Sequence, residues 1–185
     1  MAKEKPVLST KLWQPDPARI AASNLTKFIG LVETRWGVSC ADYPSLHHWS
    51  VEEPKKFWQT LWDFADVLGD LNDDIVLQHA DQMPGAIFYP NARLNFAENL
   101  LRRRDDTAAL MFRGETGVER TLSGAALYDL VSRLKQAMQK AGIKSGDRVV
   151  GYLPNLPESI AVMLATASLG AVWSSCSPDF GSQGV

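Results

Sequence analysis

Between Gly146 and Val185 the spacing of apolar positions changes twice. Arg148 to Leu153 is a short apolar run of strand length. Pro154-Asn155-Leu156-Pro157 is a turn whose second proline suits the first position of a helix. Glu158 follows in the first turn, where a carboxylate meets the positive end of a helix dipole. Ile160, Leu164, Ala167 and Ser168 then fall near helical spacing in a segment apolar almost all round. Gly170 is a natural stop, and Ala171 to Ser175 is a second short apolar run. Strand, helix and strand in that order predict a βαβ unit, hence a parallel pair, because parallel neighbours need a crossover. Parallel sheets are covered on both faces, so two strands alone are expected to open a larger domain that continues past Val185.

Upstream, Ala108–Phe112 and Glu119–Leu122 predict a hairpin turned at Arg113-Gly-Glu-Thr-Gly117. Ser123 stands where a cap belongs, ahead of a helix carrying Leu127, Leu130, Val131, Leu134, Ala137, Met138 and Ala141. Gly142 ends that helix, and Lys144-Ser-Gly-Asp147 turns the chain into the next strand. The first hundred residues are different in character, helix-like and aromatic, with five of the six tryptophans before Leu101. Asp16 is expected to cap one helix running through Ile20, Leu25, Phe28, Leu31 and Val32 to about Gly37. Ser50 and Glu53 have capping-box spacing ahead of Phe57, Trp58, Leu61, Trp62, Phe64, Ala65 and Leu68, a stripe expected to pack as core. Pro84, Gly85 and Pro90 mark a crossing segment, after which Asn95 or an earlier polar residue is expected to start a short helix with Phe96, Asn99, Leu100 and Leu101. The fold class is α/β: a Trp-rich helical extension over 1–106, then over 107–185 a hairpin, a helix and the βαβ of an incomplete parallel-sheet domain.

Composition narrows the partners. A hydrophobic fraction of 45% is globular, and a net charge of −2 gives no electrostatic case for nucleic acid or an anionic membrane surface. Met1 to Pro6 lacks the apolar core of a leader, and no apolar run approaches the roughly 18 residues that cross a bilayer, so a cytoplasmic protein is expected. Cys40 and Cys176 belong to no ligand or redox spacing and are read as reduced thiols. The adjacent pair His47 and His48 has no carboxylate or cysteine at a ligand spacing, which favours a structural or surface role, and no metal site is signalled. Arg93, Arg102, Arg103 and Arg104 carry the paired donors that grip phosphate, yet Asp105 and Asp106 follow directly, which favours a solvated face.

The ordered string Gly-Asp-Arg-Val, Gly-Tyr-Leu-Pro-Asn, Pro-Glu, an apolar helix, Gly-Ala and a Ser-rich tail resembles the adenylate-forming acyl-CoA synthetase superfamily. Phe88-Tyr-Pro-Asn-Ala-Arg-Leu-Asn-Phe-Ala-Glu-Asn-Leu-Leu101 and the Trp-rich extension resemble its acetyl-CoA and acetoacetyl-CoA synthetase branch. Within that branch Leu46-His-His-Trp-Ser-Val-Glu52 and Trp173-Ser-Ser-Cys-Ser-Pro-Asp-Phe-Gly181 look like the acetoacetate-activating members, since acetyl-CoA synthetases usually carry Phe-Gly-Gly-Phe in the second place.

The resemblance implies a ligase of lipid metabolism that takes acetoacetate, ATP, CoA and Mg²⁺ to acetoacetyl-CoA, AMP and pyrophosphate through an acyl-adenylate. It puts the nucleotide-cradling loop, the catalytic lysine and the mobile C-terminal domain beyond Val185. This segment alone is therefore expected to be catalytically silent and to hold no cofactor tightly. It also implies one contact within the segment, the nucleotide portion of CoA at Ser177, Pro178 and Asp179, where Asp179 would repel a phosphate and suits a base or ribose instead. The same three residues also read as a turn capped by Ser177 or Asp179. Two other readings stay open: a synthetase of the same branch for acetate or another short acid, and a non-catalytic dimerisation or partner-binding module, since an uncovered sheet edge favours self-association.

Overall fold

A computed structural model describes residues 12–184, and the charged opening Met1 to Pro6 lies outside them. In chain order the elements are α1 (Pro17–Ala22), α2 (Asn24–Trp36), α3 (Tyr43–Glu52), α4 (Pro54–Phe64), β1 (Gly69–Asp70), β2 (Leu77–Gln78), β3 (Ile87–Phe88), β4 (Arg93–Leu94), α5 (Phe96–Leu100), β5 (Ala108–Arg113), β6 (Glu119–Ser123), α6 (Gly124–Lys140), β7 (Arg148–Tyr152), α7 (Pro157–Ser168), β8 (Val172–Cys176) and a single turn α8 (Gly181–Gly184). They form two compact units, the first from the residues up to Asp66 with Ile75–Pro90, the second from Val67–Asp74 with Asn91 onward.

In the first unit the chain corrects two expectations. Asp16 does cap a helix, its carboxylate accepting from the Arg19 N–H at 2.8 Å, but that helix ends at Ala22. Ser23 is extended and closes α1, and its hydroxyl then accepts from the Thr26 N–H at 3.1 Å to open α2. A serine that can cap competes with continuing the helix, and here the cap wins. Ser50 lies inside α3, its hydroxyl donating to the His47 carbonyl at 2.7 Å, so it caps nothing. The capping box sits at Asp42 and Ser45, and α4 starts at Pro54 without a side-chain cap, proline being preformed for a first helical position.

The aromatic stripe packs as expected up to Phe64, but Ala65 and Leu68 beyond it are exposed, α4 having ended. Phe57, Leu61 and Phe64 lie against a buried cluster of Phe28, Val32, Cys40, Leu46 and Trp49. Phe28 meets Phe57 and Phe64 edge-on, with ring centroids 5.9 and 5.2 Å apart, the arrangement favoured by aromatic quadrupoles. Trp58 packs on Phe88 and Trp62 on Tyr89, so the β2–β3 pair is covered by α4.

The second unit holds the elements predicted for the C-terminal half. β5 and β6 pair antiparallel from Ala108↔Ser123 to Arg113↔Glu119, and the Ser123 hydroxyl accepts from the Ala126 N–H at 3.2 Å to open α6. β7 and β8 pair parallel from Arg148↔Val172 to Tyr152↔Cys176, with α7 as the crossover. α7 opens on Pro157 and its chain reverses at Gly170 with φ +70°, a value that glycine adopts without strain. The core joins Leu127 and Val131 of α6, Ala161, Leu164 and Ala165 of α7, and Ala97 and Leu101 at α5. The alanines of α7 let the helices approach, and the leucines supply most of the apolar area removed from water.

Asn95 fixes α5 in two ways. Its side-chain Oδ1 caps the helix by accepting from the Glu98 N–H, and its side-chain Nδ2 donates to the Ala167 carbonyl at the end of α7 at 3.0 Å. On the sheet, Trp173 lies over Gly151 so closely that a Cβ there would be 2.4 Å from the indole. The parallel register explains it: Trp173 pairs with Val149, and Gly151 is the next residue on that face.

Candidate functional site at the carboxyl ends of the parallel strands

In open α/β sheets ligands gather outside the carboxyl ends of the strands. Here those ends are Tyr152 and Cys176, and the ladder runs one bond further, the Leu153 N–H donating to the Cys176 carbonyl at 3.2 Å. Ser177 leaves β8 extended, and Pro178–Phe180 forms one turn of 3₁₀ helix. The Ser177 hydroxyl accepts from the Asp179 N–H at 3.4 Å and donates to Asp179 Oδ2 at 2.8 Å, so Ser177 and not Asp179 supplies the cap. Gly181, at φ +64°, releases the chain into α8.

Tyr152 braces the turn from the neighbouring strand, its hydroxyl donating to the Pro178 carbonyl at 2.9 Å. The structure thus brings Ser177, Pro178 and Asp179 together on one short turn. That turn offers a carboxylate and no cation, a donor set that fits ribose hydroxyls or a base amine and not a phosphate.

An open groove of about 630 Å³ runs between the hairpin end at Arg113–Thr116 and the Pro154–Pro157 loop. Arg120 of β6 holds Glu158 of α7 through both guanidinium Nη atoms. Those hydrogen bonds, led by Arg120, keep the Glu158 carboxyl below the usual glutamate range. The pair ties hairpin to crossover helix.

The other charged candidates disperse. Arg93 sits in β4 opposite Asp70. Arg103 reaches Thr107 and Asp105, and Arg104 stacks on the Tyr128 ring at 3.9 Å, so these residues do not form one phosphate grip. The Asp105 carboxyl is lowered chiefly by hydrogen bonds from Thr107. His48 pairs with Glu52 at 3.1 Å and His47 stands beside the Tyr43 ring, both exposed on α3. Among the described residues no group of three or more His, Cys, Asp or Glu is placed to hold a metal ion, and no helix is long and apolar enough to cross a membrane. Cys40 is buried, and its thiol is pushed up first by loss of hydration and then by Glu33.

Sequence reasoning missed the Tyr152 and Asn95 bonds, which join residues 26 and 72 positions apart. Asn95 carried a local signal as a cap. Tyr152 carried none.

A profile of the AMP-binding enzyme family matches residues 96–185, the span that holds α5, the hairpin, α6, the parallel pair and the turn. Among relatives of the whole chain, the acetoacetyl-coenzyme A synthetase of Rhizobium meliloti (strain 1021) is 50% identical over 174 residues, covering 94% of this chain and 27% of its own. A malonamoyl-CoA synthetase of Penicillium aethiopicum is 33% identical over 177 residues, covering 92% of this chain and 24% of its own. The solved acetoacetyl-CoA synthetase from Streptomyces lividans superposes with a TM-score of 0.83 at 38% identity, covering 94% of this chain and 27% of that one. The chain spans about a quarter of the length of these relatives. Its α/β architecture matches the N-terminal part of an adenylate-forming enzyme, with the span that the profile matches preceded by the Trp-rich helices.

Proposed function

We propose that this chain is the N-terminal part of an ATP-dependent acetoacetate–CoA ligase. The enzyme activates acetoacetate as an acyl-adenylate with release of pyrophosphate, and CoA then displaces AMP to give acetoacetyl-CoA. Adenylation turns a poor carboxylate electrophile into a mixed anhydride with a good leaving group. The observation that carries this reading is 50% identity to an acetoacetyl-coenzyme A synthetase over 94% of the chain. The 33% identity to a malonamoyl-CoA synthetase is weaker support for a different acid.

ATP, CoA and Mg²⁺ are the cofactors of the complete enzyme. Within this segment Ser177, Pro178 and Asp179 contact the nucleotide of CoA, with Asp179 toward a ribose hydroxyl or base amine. The extension is taken as 1–106 and the adenylation domain as starting at 107, one residue before β5. A reaction that consumes ATP and CoA suits the cytoplasm, the compartment assigned here. Alone, the segment is catalytically silent. Val150, Tyr152 and Val172, on the face of the pair opposite Gly151, are about half to two-thirds exposed, which supports its self-association in isolation.

The deciding experiment is acid-dependent ATP–pyrophosphate exchange by the complete gene product. Acetoacetate is expected to drive exchange well above acetate and malonamate. Preference for either of those acids, or no exchange with any, refutes the reading.

A further inference from the structure

We infer that Tyr152 is a positioning residue for the CoA-facing turn, fixing through its hydroxyl the backbone on which Ser177 and Asp179 stand. The inference rests on the CoA contact proposed above. Tyr152 ends β7 opposite Cys176, the last residue of β8, so its side chain starts one step short of the turn. Its O–H donates to the Pro178 carbonyl at 2.9 Å, across 26 residues of sequence.

The bonds of Ser177 are internal to the turn: they shape it and leave its direction free. The Tyr152 bond runs from the turn to the neighbouring strand and sets that direction. Burial does not force it, because Tyr152 is 49% exposed and its hydroxyl has water as an alternative partner. With Pro178 restricted in φ and Ser177 capping, the bond to the sheet completes a preorganised turn. A ligand that lands on a fixed turn loses less ordering free energy than one that must fix it. Asp179 Oδ2 is taken by Ser177, and among the described residues Oδ1 has no protein partner, so one carboxylate oxygen on the braced turn is left for a ligand.

Steady-state kinetics on the complete synthetase carrying Tyr152→Phe tests this, because phenylalanine keeps the ring and deletes only the donor. KM for CoA is expected to rise roughly two- to tenfold, the worth of one hydrogen bond, while KM for ATP and acetoacetate and the CoA-independent pyrophosphate exchange stay at parent values. An unchanged KM for CoA, or a decline of every parameter together, overturns the role. Asp179→Arg serves as companion by placing a bulky side chain on the turn. If Asp179→Arg alone raises KM for CoA, the contact stands and the Tyr152 brace falls. If neither variant moves it, the CoA contact itself is wrong.

Discussion

Asn95 gives a quantitative handle on how α5 is held. Asn95→Ala removes the cap on the Glu98 N–H, about 1 kcal/mol, and the amide bond to the Ala167 carbonyl, about another 1 kcal/mol. Asn95→Ser keeps a capping oxygen and is too short to span to α7, so it isolates the second loss. The readout is amide hydrogen exchange at Leu101, whose N–H donates to the Ala97 carbonyl at 2.9 Å and opens when α5 opens. At tenfold per 1.4 kcal/mol, Asn95→Ala is expected to speed exchange about 30-fold and Asn95→Ser about 5-fold. Equal rates in Asn95→Ala and the parent would refute the reasoning outright. Equal rates in the two variants would show that the cap contributes nothing and the bond to α7 does all the holding.

Three further outcomes follow from the same structure. Leu164→Ala, at a site 2% exposed among Leu127, Val131 and Ala97, is expected to cost about 3 kcal/mol, seen as a drop in Tm of roughly 6–12 °C, whereas Ile20→Ala, at 51% exposure, shifts Tm by no more than a degree or two. Iodoacetamide at pH 8 is expected to alkylate Cys176 well before Cys40, because Cys40 is buried and its thiol is raised; equal labelling in the folded protein would contradict the burial. The Arg120–Glu158 pair makes an acid-sensitive contribution. A carboxyl lowered from its ordinary value near 4.5 stabilises the fold above that pH, and the contribution is lost as pH falls through the lowered value. The Tm gap between the parent and Glu158→Gln should therefore be present at pH 7 and close towards pH 3, and a gap that persists at pH 3 would rule the pair out as its source.

The parallel pair and hairpin were legible because their signals are local. Pro157, Gly170 and Ser123 each act within a turn of their own position, and the change of apolar period between them has few competing explanations. The N-terminal helices were less so. Ser23 and Ser50 are the same residue type in similar apolar surroundings, yet one breaks a helix and the other donates to a carbonyl inside one. Which occurs depends on what the flanking turns can bury, and composition alone does not carry that. Ser177, Pro178 and Asp179 were legible as a turn through proline and serine chemistry. The strand that braces it was not, since only the register of β7 on β8 brings Tyr152 there.

The close packing of Trp173 on Gly151 also makes a spectroscopic address. Trp13, Trp36, Trp49, Trp58 and Trp62 all fall in the first unit, leaving Trp173 the single indole of the second. A difference emission spectrum between the parent and Trp173→Phe therefore isolates one fluorophore, three residues upstream of the last residue of β8. Its colour and quenching give the parallel pair an optical signal of its own, against which nucleotide titration or stepwise denaturation can be followed without labelling.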